Sequence, residues 1–225
     1  MLDPTIRPSN RPELGRLLGA CPRLKVPAGD VRSADNFSDA ALLLVEAGIV
    51  VIASAARPTR RIVLSFCSPG TLLPPPRKDE QLAALADSAV ISLGPEVLES
   101  LLQLPSAAAE IVNALLEALR ERQASLSQFS NVVHTDRLRG KLLQLARTHG
   151  AVVTGGVRVE LPLTHELLGQ AIGSARETVT SALRTLEREG FLVREGRLYR
   201  LMISPEILEA DDHSPVTCSG AAHGD

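Results

Sequence analysis

Aromatic side chains are the scarcest class in this sequence: they make up 2% of its 225 residues, and tryptophan is absent. The cores must therefore be built mainly from the aliphatic residues that dominate its 44% hydrophobic content. No apolar run approaches the roughly 18–20 residues that a membrane-spanning helix needs. The first residues, MLDPTIRPSNRPELG, lack the basic-then-apolar pattern of a secretory signal. We therefore expect a cytoplasmic globular protein with one large domain or two smaller ones.

Cysteines are few and scattered. Cys21, Cys67 and Cys218 have no CxxC spacing and no neighbouring histidine, and their odd number argues against a disulfide framework. We expect free thiols in a reducing compartment and no metal site.

Acidic residues slightly outnumber basic ones, and the two signs are unevenly distributed. Residues 136–204 contain 11 Lys and Arg against 7 Asp and Glu, a balance of +4, whereas the remainder contains 13 against 19. A basic C-terminal region on an acidic body is typical of a polyanion-binding module, although the excess is small.

The first 105 residues have the pattern of a β-domain. One short helix is predicted at Pro12–Leu18, and the runs ALLLVEAGIVVIASAA, RRIVLSFCSPG and DSAVISLG predict short strands separated by turns. The stretch TLLPPPRKDEQ is predicted to be a loop or a sheet edge, because its prolines cannot donate backbone hydrogen bonds. This spacing favours an antiparallel barrel or sandwich over alternating βαβ units.

A long helix is predicted within residues 106–135, from about Ala107 to Val133. Ser106 can cap it, and a narrow apolar stripe follows at helical spacing. Such a stripe suits pairing with a second copy of the chain, although Arg122 interrupts it and packing on the β-domain is the alternative. The predicted dimer-interface residues are Ile111, Leu115, Leu119, Leu126, Phe129 and Val133.

Residues 136–204 are predicted to form a third region, followed by a polar, disordered tail over 205–225. A helix over Asp136–Thr148 precedes a hairpin around Gly155-Gly156 and two helices on either side of Gly173. A second hairpin follows around Glu195-Gly196. Two short helices at a tight glycine turn, followed by a β-hairpin, are typical of a winged helix-turn-helix.

The second of these two helices carries the candidate site. Thr164 is a predicted N-cap of the first helix, Gly173 ends it, and Ser174 with Glu177 forms a possible capping box for the second. The second helix turns Val179, Leu183 and Leu186 inward. Its polar face can contact bases, since a guanidinium pairs with guanine and a carboxylate accepts from cytosine. The alternative is a solvated face whose charges pair or cap.

The segment GQAIGSARETVTSALRTLEREGFL closely resembles the helix-turn-helix of the Crp/Fnr transcription regulators, in which Gly-x-Ser-Arg-Glu-Thr-Val recurs. Upstream, the PAGD segment, Gly48 and Pro69-Gly70 recur at about the intervals of that family's β-roll sensor domain. The resemblance implies an α+β protein with an N-terminal antiparallel, cyclic-nucleotide-binding-like β-roll, a long dimerisation helix and a C-terminal winged helix-turn-helix. It also implies a homodimer on inverted-repeat double-stranded DNA, with RNA polymerase as a further partner. The DNA contacts are assigned to Thr164, Ser174, Arg176, Glu177, Thr180, Ser181, Arg184 and Arg188.

The sensor half departs from the family's nucleotide-binding pattern. After Gly70 there is no Gly-Glu pair and no Arg-Ala or Arg-Ser pair, and Arg77 and Lys78 lie beside prolines. Cys21 stands alone where iron–sulfur members have a cysteine cluster, and residues 1–105 contain no histidine for a haem. A haem held by apolar contacts alone stays open. We therefore predict no cofactor and a degenerate sensor that is constitutive or binds an effector that the sequence does not identify.

Two other classes of function are the alternatives to a DNA-binding regulator. His134, His149 and His165 are candidates for acid–base chemistry, but no GxSxG, P-loop or HExxH motif accompanies them, so an enzyme is not expected. The other alternative is a winged-helix protein-interaction module that has lost DNA binding.

Overall fold

The computed structural model describes residues 12–54, 61–128 and 133–210 of the chain. It begins with helix α1 (Pro12–Ala20), where the sequence predicts a helix over Pro12–Leu18. A short 3-10 helix spans Ala34–Phe37. The strands of this half are β1 (Arg23–Val26), β2 (Val31–Ser33), β3 (Leu42–Ala47), β4 (Val50–Ser54), β5 (Val63–Cys67), β6 (Leu72–Leu73), β7 (Glu80–Ala84) and β8 (Ser88–Leu93).

These strands form two antiparallel sheets that face each other, as the sequence predicts. One has the strand order β1-β8-β3-β6 and the other the order β2-β7-β4-β5. Val45 and Val90 of the first sheet share a buried cluster with Ile52 and Leu82 of the second. Strand β6 lies at a sheet edge, in agreement with the prediction for the proline-rich stretch that contains it. Strands as short as β1, β2 and β6 were not predicted, because they give almost no alternating pattern.

Helices α2 (Pro95–Leu102) and α3 (Pro105–Gln128) follow the sheets. Ile111, a predicted dimer residue, is instead buried within the chain, where it packs with Leu18, Leu44 and Leu101. Leu115 packs against the edge of the same cluster. The apolar side chains that α3 turns outward are Val112, Leu116 and Leu119, which are 52%, 44% and 53% exposed. The prediction is therefore wrong for Ile111, which the chain itself buries, whereas Leu119 is exposed and its part in a dimer contact stays a prediction.

Contrary to the prediction, the long helix does not include Val133. The structure describes α3 as far as Gln128, and Val133 adopts an extended conformation as the N-cap of the next helix, with 55% of its surface exposed. Phe129 lies outside the described residues, as does the side chain of Leu126. Arg122, which interrupts the apolar stripe, has a partner in the β-domain. Its Nη1 atom lies 3.8 Å from Oε1 of the buried Glu80 on β7.

The C-terminal half contains the predicted winged helix-turn-helix. The elements are α4 (His134–His149), β9 (Gly150–Val153), β10 (Gly156–Val159), α5 (His165–Ile172), α6 (Arg176–Arg188), β11 (Leu192–Glu195), β12 (Leu198–Leu201) and α7 (Pro205–Ala210). The four strands have the order β11-β12-β10-β9. Residues 205–210, predicted to be disordered, instead form the short helix α7, and the Arg147 side chain donates to the carbonyl of Leu208 at 3.1 Å.

The core of this half continues onto the outer face of the β2-β7-β4-β5 sheet. Val51 and Phe66 of that sheet belong to the same buried cluster as Leu142 of α4 and Leu168 of α5. Lys141 is fully buried at this junction, where Nζ donates to Oε1 of Gln144 at 3.1 Å and lies 5.6 Å from the centre of the Phe66 ring. Burial lowers the pKa of Lys141 to about 8. The winged helix is thus packed directly on the β-domain.

Within the described part of the chain, no helix is long and apolar enough to cross a membrane. The same residues contain no cluster of three or more histidine, cysteine or acidic side chains that could hold a metal ion. Cys21 and Cys67 are buried free thiols, and Cys218 lies outside the described residues.

Candidate nucleic-acid interface

The first helix of the pair, α5, has both of the ends that the sequence predicts. The Thr164 hydroxyl accepts a hydrogen bond from the backbone N–H of Leu167 at 3.1 Å, which satisfies one free donor of the first turn. Gly173 ends the helix in the left-handed conformation, with φ of 65°. A residue with a Cβ is strained there, so this glycine fixes the turn between the two helices.

A second glycine, Gly169, also sets the geometry of the turn, a role that was not predicted from the sequence. It lies within α5, where a Cβ would come 2.6 Å from the backbone oxygen of Ser174. Its carbonyl accepts from the backbone N–H of Ser174 at 2.8 Å. A glycine inside a helix lowers helix stability by about 1 kcal/mol relative to alanine. A glycine at this position in the sequence was therefore a detectable signal of close packing.

The second helix, α6, begins one residue later than predicted. Its N-cap is Ala175, which makes no side-chain cap, so the predicted capping box of Ser174 and Glu177 is wrong. The Ser174 hydroxyl instead lies 2.7 Å from Nδ1 of His134, the first residue of α4. Glu177 is therefore not used as a cap and stays exposed in the first turn of the helix.

Helix α6 separates its apolar and polar faces cleanly. Val179, Leu183 and Leu186 are buried, as predicted. The side chains of Arg176, Glu177, Ser181 and Arg184 are exposed and make no hydrogen bond or ion pair with the described residues. Together with Thr180, these four line a shallow groove on the outer face of α6. Because these four side chains bond to none of the described residues, their donors and acceptors are available to another molecule.

Thr180 and Arg188 differ from their neighbours because both are engaged within the chain. The Thr180 hydroxyl donates to the backbone carbonyl of Arg176 at 2.9 Å and lies 2.8 Å from Nδ1 of His165. Its single hydroxyl hydrogen is thus unavailable for a DNA phosphate, a contact that the sequence alone permits. Arg188 lies along its own helix, where Nη2 donates to the Thr185 hydroxyl at 3.1 Å.

The segment after Gly70, where the sequence departs from the family's nucleotide-binding pattern, buries its apolar side chains and exposes its basic ones. Leu72 and Leu73 are buried, and Arg77 and Lys78 are exposed. Nη2 of Arg77 lies 3.2 Å from Oε1 of Glu80, whose side chain is 2% exposed. The carboxylate of Glu80 therefore occupies the interior next to the two arginines, Arg77 and Arg122, that approach it.

A helix-turn-helix with an exposed, unpaired polar face and a β-hairpin wing defines the class of protein as winged-helix DNA-binding proteins. Comparison with known proteins agrees: residues 136–210 match the Crp-like helix-turn-helix domain. The chain is therefore a DNA-binding transcription regulator, similar to the regulators of the Crp/Fnr family.

The relatives include a CRP-like cAMP-activated global transcriptional regulator of Mycobacterium tuberculosis, 25% identical over 76% of this chain and 80% of that protein. The transcriptional regulator SdrP of Thermus thermophilus is 33% identical over 41% of this chain and 45% of its own length. Among solved structures, a CooA mutant from Carboxydothermus hydrogenoformans covers 87% of this chain and 89% of its own, with a TM-score of 0.72 and 19% identity. FixK2 of Bradyrhizobium japonicum covers 85% and 96%, with a TM-score of 0.66 and 20% identity. These two structures support the fold.

Proposed function

We propose that the protein binds an inverted-repeat operator as a homodimer, with the polar face of α6 in the major groove of each half-site. The observation that carries this proposal is the free set of side chains on that face, Arg176, Glu177, Ser181 and Arg184. One recognition helix per subunit requires two half-sites about one helical turn apart, ~34 Å. The outward stripe of α3, Val112, Leu116 and Leu119, provides a self-complementary apolar surface for the two-fold contact.

The test is selection of duplex DNA from a random pool by the full-length protein. We expect an inverted repeat to be enriched and its affinity to fall linearly with salt on logarithmic axes, since phosphate contacts release counterions. Enrichment of single half-sites without symmetry would contradict the dimeric arrangement. Absence of duplex binding at low salt would contradict the proposed function and favour a protein-interaction module.

The dimer itself is tested by charging the outward stripe. The double variant Leu116→Glu, Leu119→Glu should be monomeric in light scattering at micromolar concentration, because two carboxylates would be buried in an apolar contact. Leu102→Glu, at an apolar residue of α2 that is also 46% exposed, is the matched control and should remain dimeric. A wild-type protein that is a stable monomer at this concentration would overturn the assignment.

We also propose that cyclic AMP is not the effector, in contrast to the Mycobacterium tuberculosis relative, whose name states cAMP activation. The buried carboxylate of Glu80 lies beside Arg77, so a phosphate placed near that arginine would meet a like charge. The buried Leu72 and Leu73 offer no partner for a ribose or a phosphate, and unpaired buried polar groups are costly.

Calorimetric titration of the full chain with cyclic AMP should therefore give no saturable heat at micromolar ligand. The selected operator duplex, titrated into the same sample, serves as the control for competent protein. A dissociation constant in the micromolar range or tighter would refute the prediction.

A further inference from the structure

His165 joins the first helix of the pair to the recognition helix. It is the first residue of α5, and its Nδ1 atom lies 2.8 Å from Oγ1 of Thr180 on α6. Because the Thr180 hydroxyl already donates to the carbonyl of Arg176, it can only accept from the ring. Nδ1 therefore carries a hydrogen, and in the neutral ring Nε2 is an acceptor. No hydrogen bond from the described residues reaches Nε2.

The charged groups that influence His165 lie on α6 and on the wing. Partial burial lowers the pKa of the ring, and so do the charges of Arg194 on the wing and of Arg176 and Arg184 on α6, while Glu187 on α6 opposes them. On α5 itself, Glu166 is directed towards Gln170, whose amide donates to its carboxylate at 3.5 Å. In the free protein, partial burial and the neighbouring arginines therefore disfavour the charged form of the ring.

We propose that Nε2 of His165 binds a phosphate of the operator and that the ring takes up a proton when it does so, so that DNA affinity rises as the pH falls. This inference rests on the proposed function. The first helix of a helix-turn-helix crosses the DNA backbone, and the backbone N–H groups at a helix N-terminus favour a phosphate. On binding, the phosphates would pair with the arginines that suppress the charge on His165 and would place an anion beside the ring, which favours its charged form.

Protonation leaves the contact to the recognition helix intact. Both ring nitrogens are donors in the charged imidazole, so Nδ1 keeps its hydrogen bond to Thr180 while Nε2 gains one to the phosphate. The pKa is then higher in the complex than in the free protein. The sign follows from linkage: affinity rises as the pH falls through the pKa of the complex and becomes constant below the pKa of the free protein.

Fluorescence anisotropy of the full chain with two labelled duplexes, the selected operator and a scrambled one, tests this proposal between pH 5.5 and 8.5 at fixed ionic strength. Each unit of pKa rise corresponds to tenfold in affinity, so wild type should bind about three- to tenfold more tightly per subunit at the acidic end. The dependence of affinity on pH should have the same slope for both duplexes, because a phosphate contact does not depend on the base sequence. His165→Gln retains an N–H donor without a titrating group and should lose this slope. His165→Arg should bind tightly at every pH.

The matched control is His134→Gln, which changes another histidine bonded to a hydroxyl and should retain the wild-type slope. Calorimetry in two buffers of different ionisation enthalpy should show proton uptake by wild type and almost none by His165→Gln. Equal slopes for wild type and His165→Gln, or no proton uptake by wild type, would refute the inference. Failure to bind either duplex at any pH would instead refute the proposed function, so the two failures are distinguishable.

Discussion

Replacement of Arg176 by alanine is expected to weaken binding to the preferred operator by about 1–3 kcal/mol and to affect random DNA much less. Arg176 is the first residue of α6, is exposed, and makes no hydrogen bond or ion pair with the described residues through its side chain. A guanidinium in this position can make two hydrogen bonds to one guanine, while Glu177 beside it can accept from the paired cytosine. Ser181 is short and uncharged, so the base pair facing it should be discriminated only weakly.

The measurement is a saturation scan of the operator against wild type, Arg176→Ala and Glu177→Ala. Arg176→Ala should remove the preference at one G·C pair and leave the other positions ranked as before. Arg188→Ala is the control. We expect this last residue of α6 to contact a phosphate and not a base, so its loss should weaken binding to all sequences alike. If Arg176→Ala also lowers affinity equally for every operator variant, then Arg176 is only a phosphate anchor.

Replacement of Gly169 by alanine is expected to displace the recognition helix α6, although Gly169 is buried and contacts no base. The added Cβ would come 2.6 Å from the backbone oxygen of Ser174, and a backbone atom cannot move without shifting the turn. Overpacking of this kind costs about 1–3 kcal/mol of folding free energy. We expect operator affinity to fall by roughly tenfold or more, which corresponds to about 1.4 kcal/mol.

Gly19→Ala is the matched control for this prediction. Gly19 also lies in a helix, α1, but a Cβ there would meet no atom within 4 Å. That variant should be neutral or more stable by up to about 1 kcal/mol, with unchanged operator affinity. Thermal unfolding and anisotropy on both variants separate the two effects. Wild-type affinity in Gly169→Ala would show that the turn tolerates the displacement.

The helix-turn-helix could be predicted from the sequence because its determinants are local. The Thr164 hydroxyl bonds to a backbone N–H three residues away, and Gly173 adopts the left-handed conformation that ends α5. Val179, Leu183 and Leu186 recur at helical spacing. Each of these signals acts within one or two turns of helix, and folding did not override them. The order of β-domain, long helix and winged helix followed from the same kind of local pattern together with the family resemblance.

The direction of α3 could not be predicted in the same way. Helical periodicity fixes the angles between residues of one helix but does not say which side meets the rest of the protein. α3 has neighbouring apolar positions on two sides, and contact with α1, α2 and the β-domain selects Ile111 for the interior. Val112 and Leu116 are thereby left outside.

The hydrogen bonds of the interface were likewise decided by tertiary contacts. Ser174 bonds to His134 across 40 residues, and Thr180 bonds to His165 across 15. The Ser174 hydroxyl fits a local capping motif in the sequence. In the fold it bonds instead to a residue that is distant in sequence. The sequence by itself therefore determined the two helices on either side of Gly173 and which face of α6 is polar, but not α2 or α7. Only the tertiary structure decided which side chains on that face remain free for DNA, because the competing partners come from other elements.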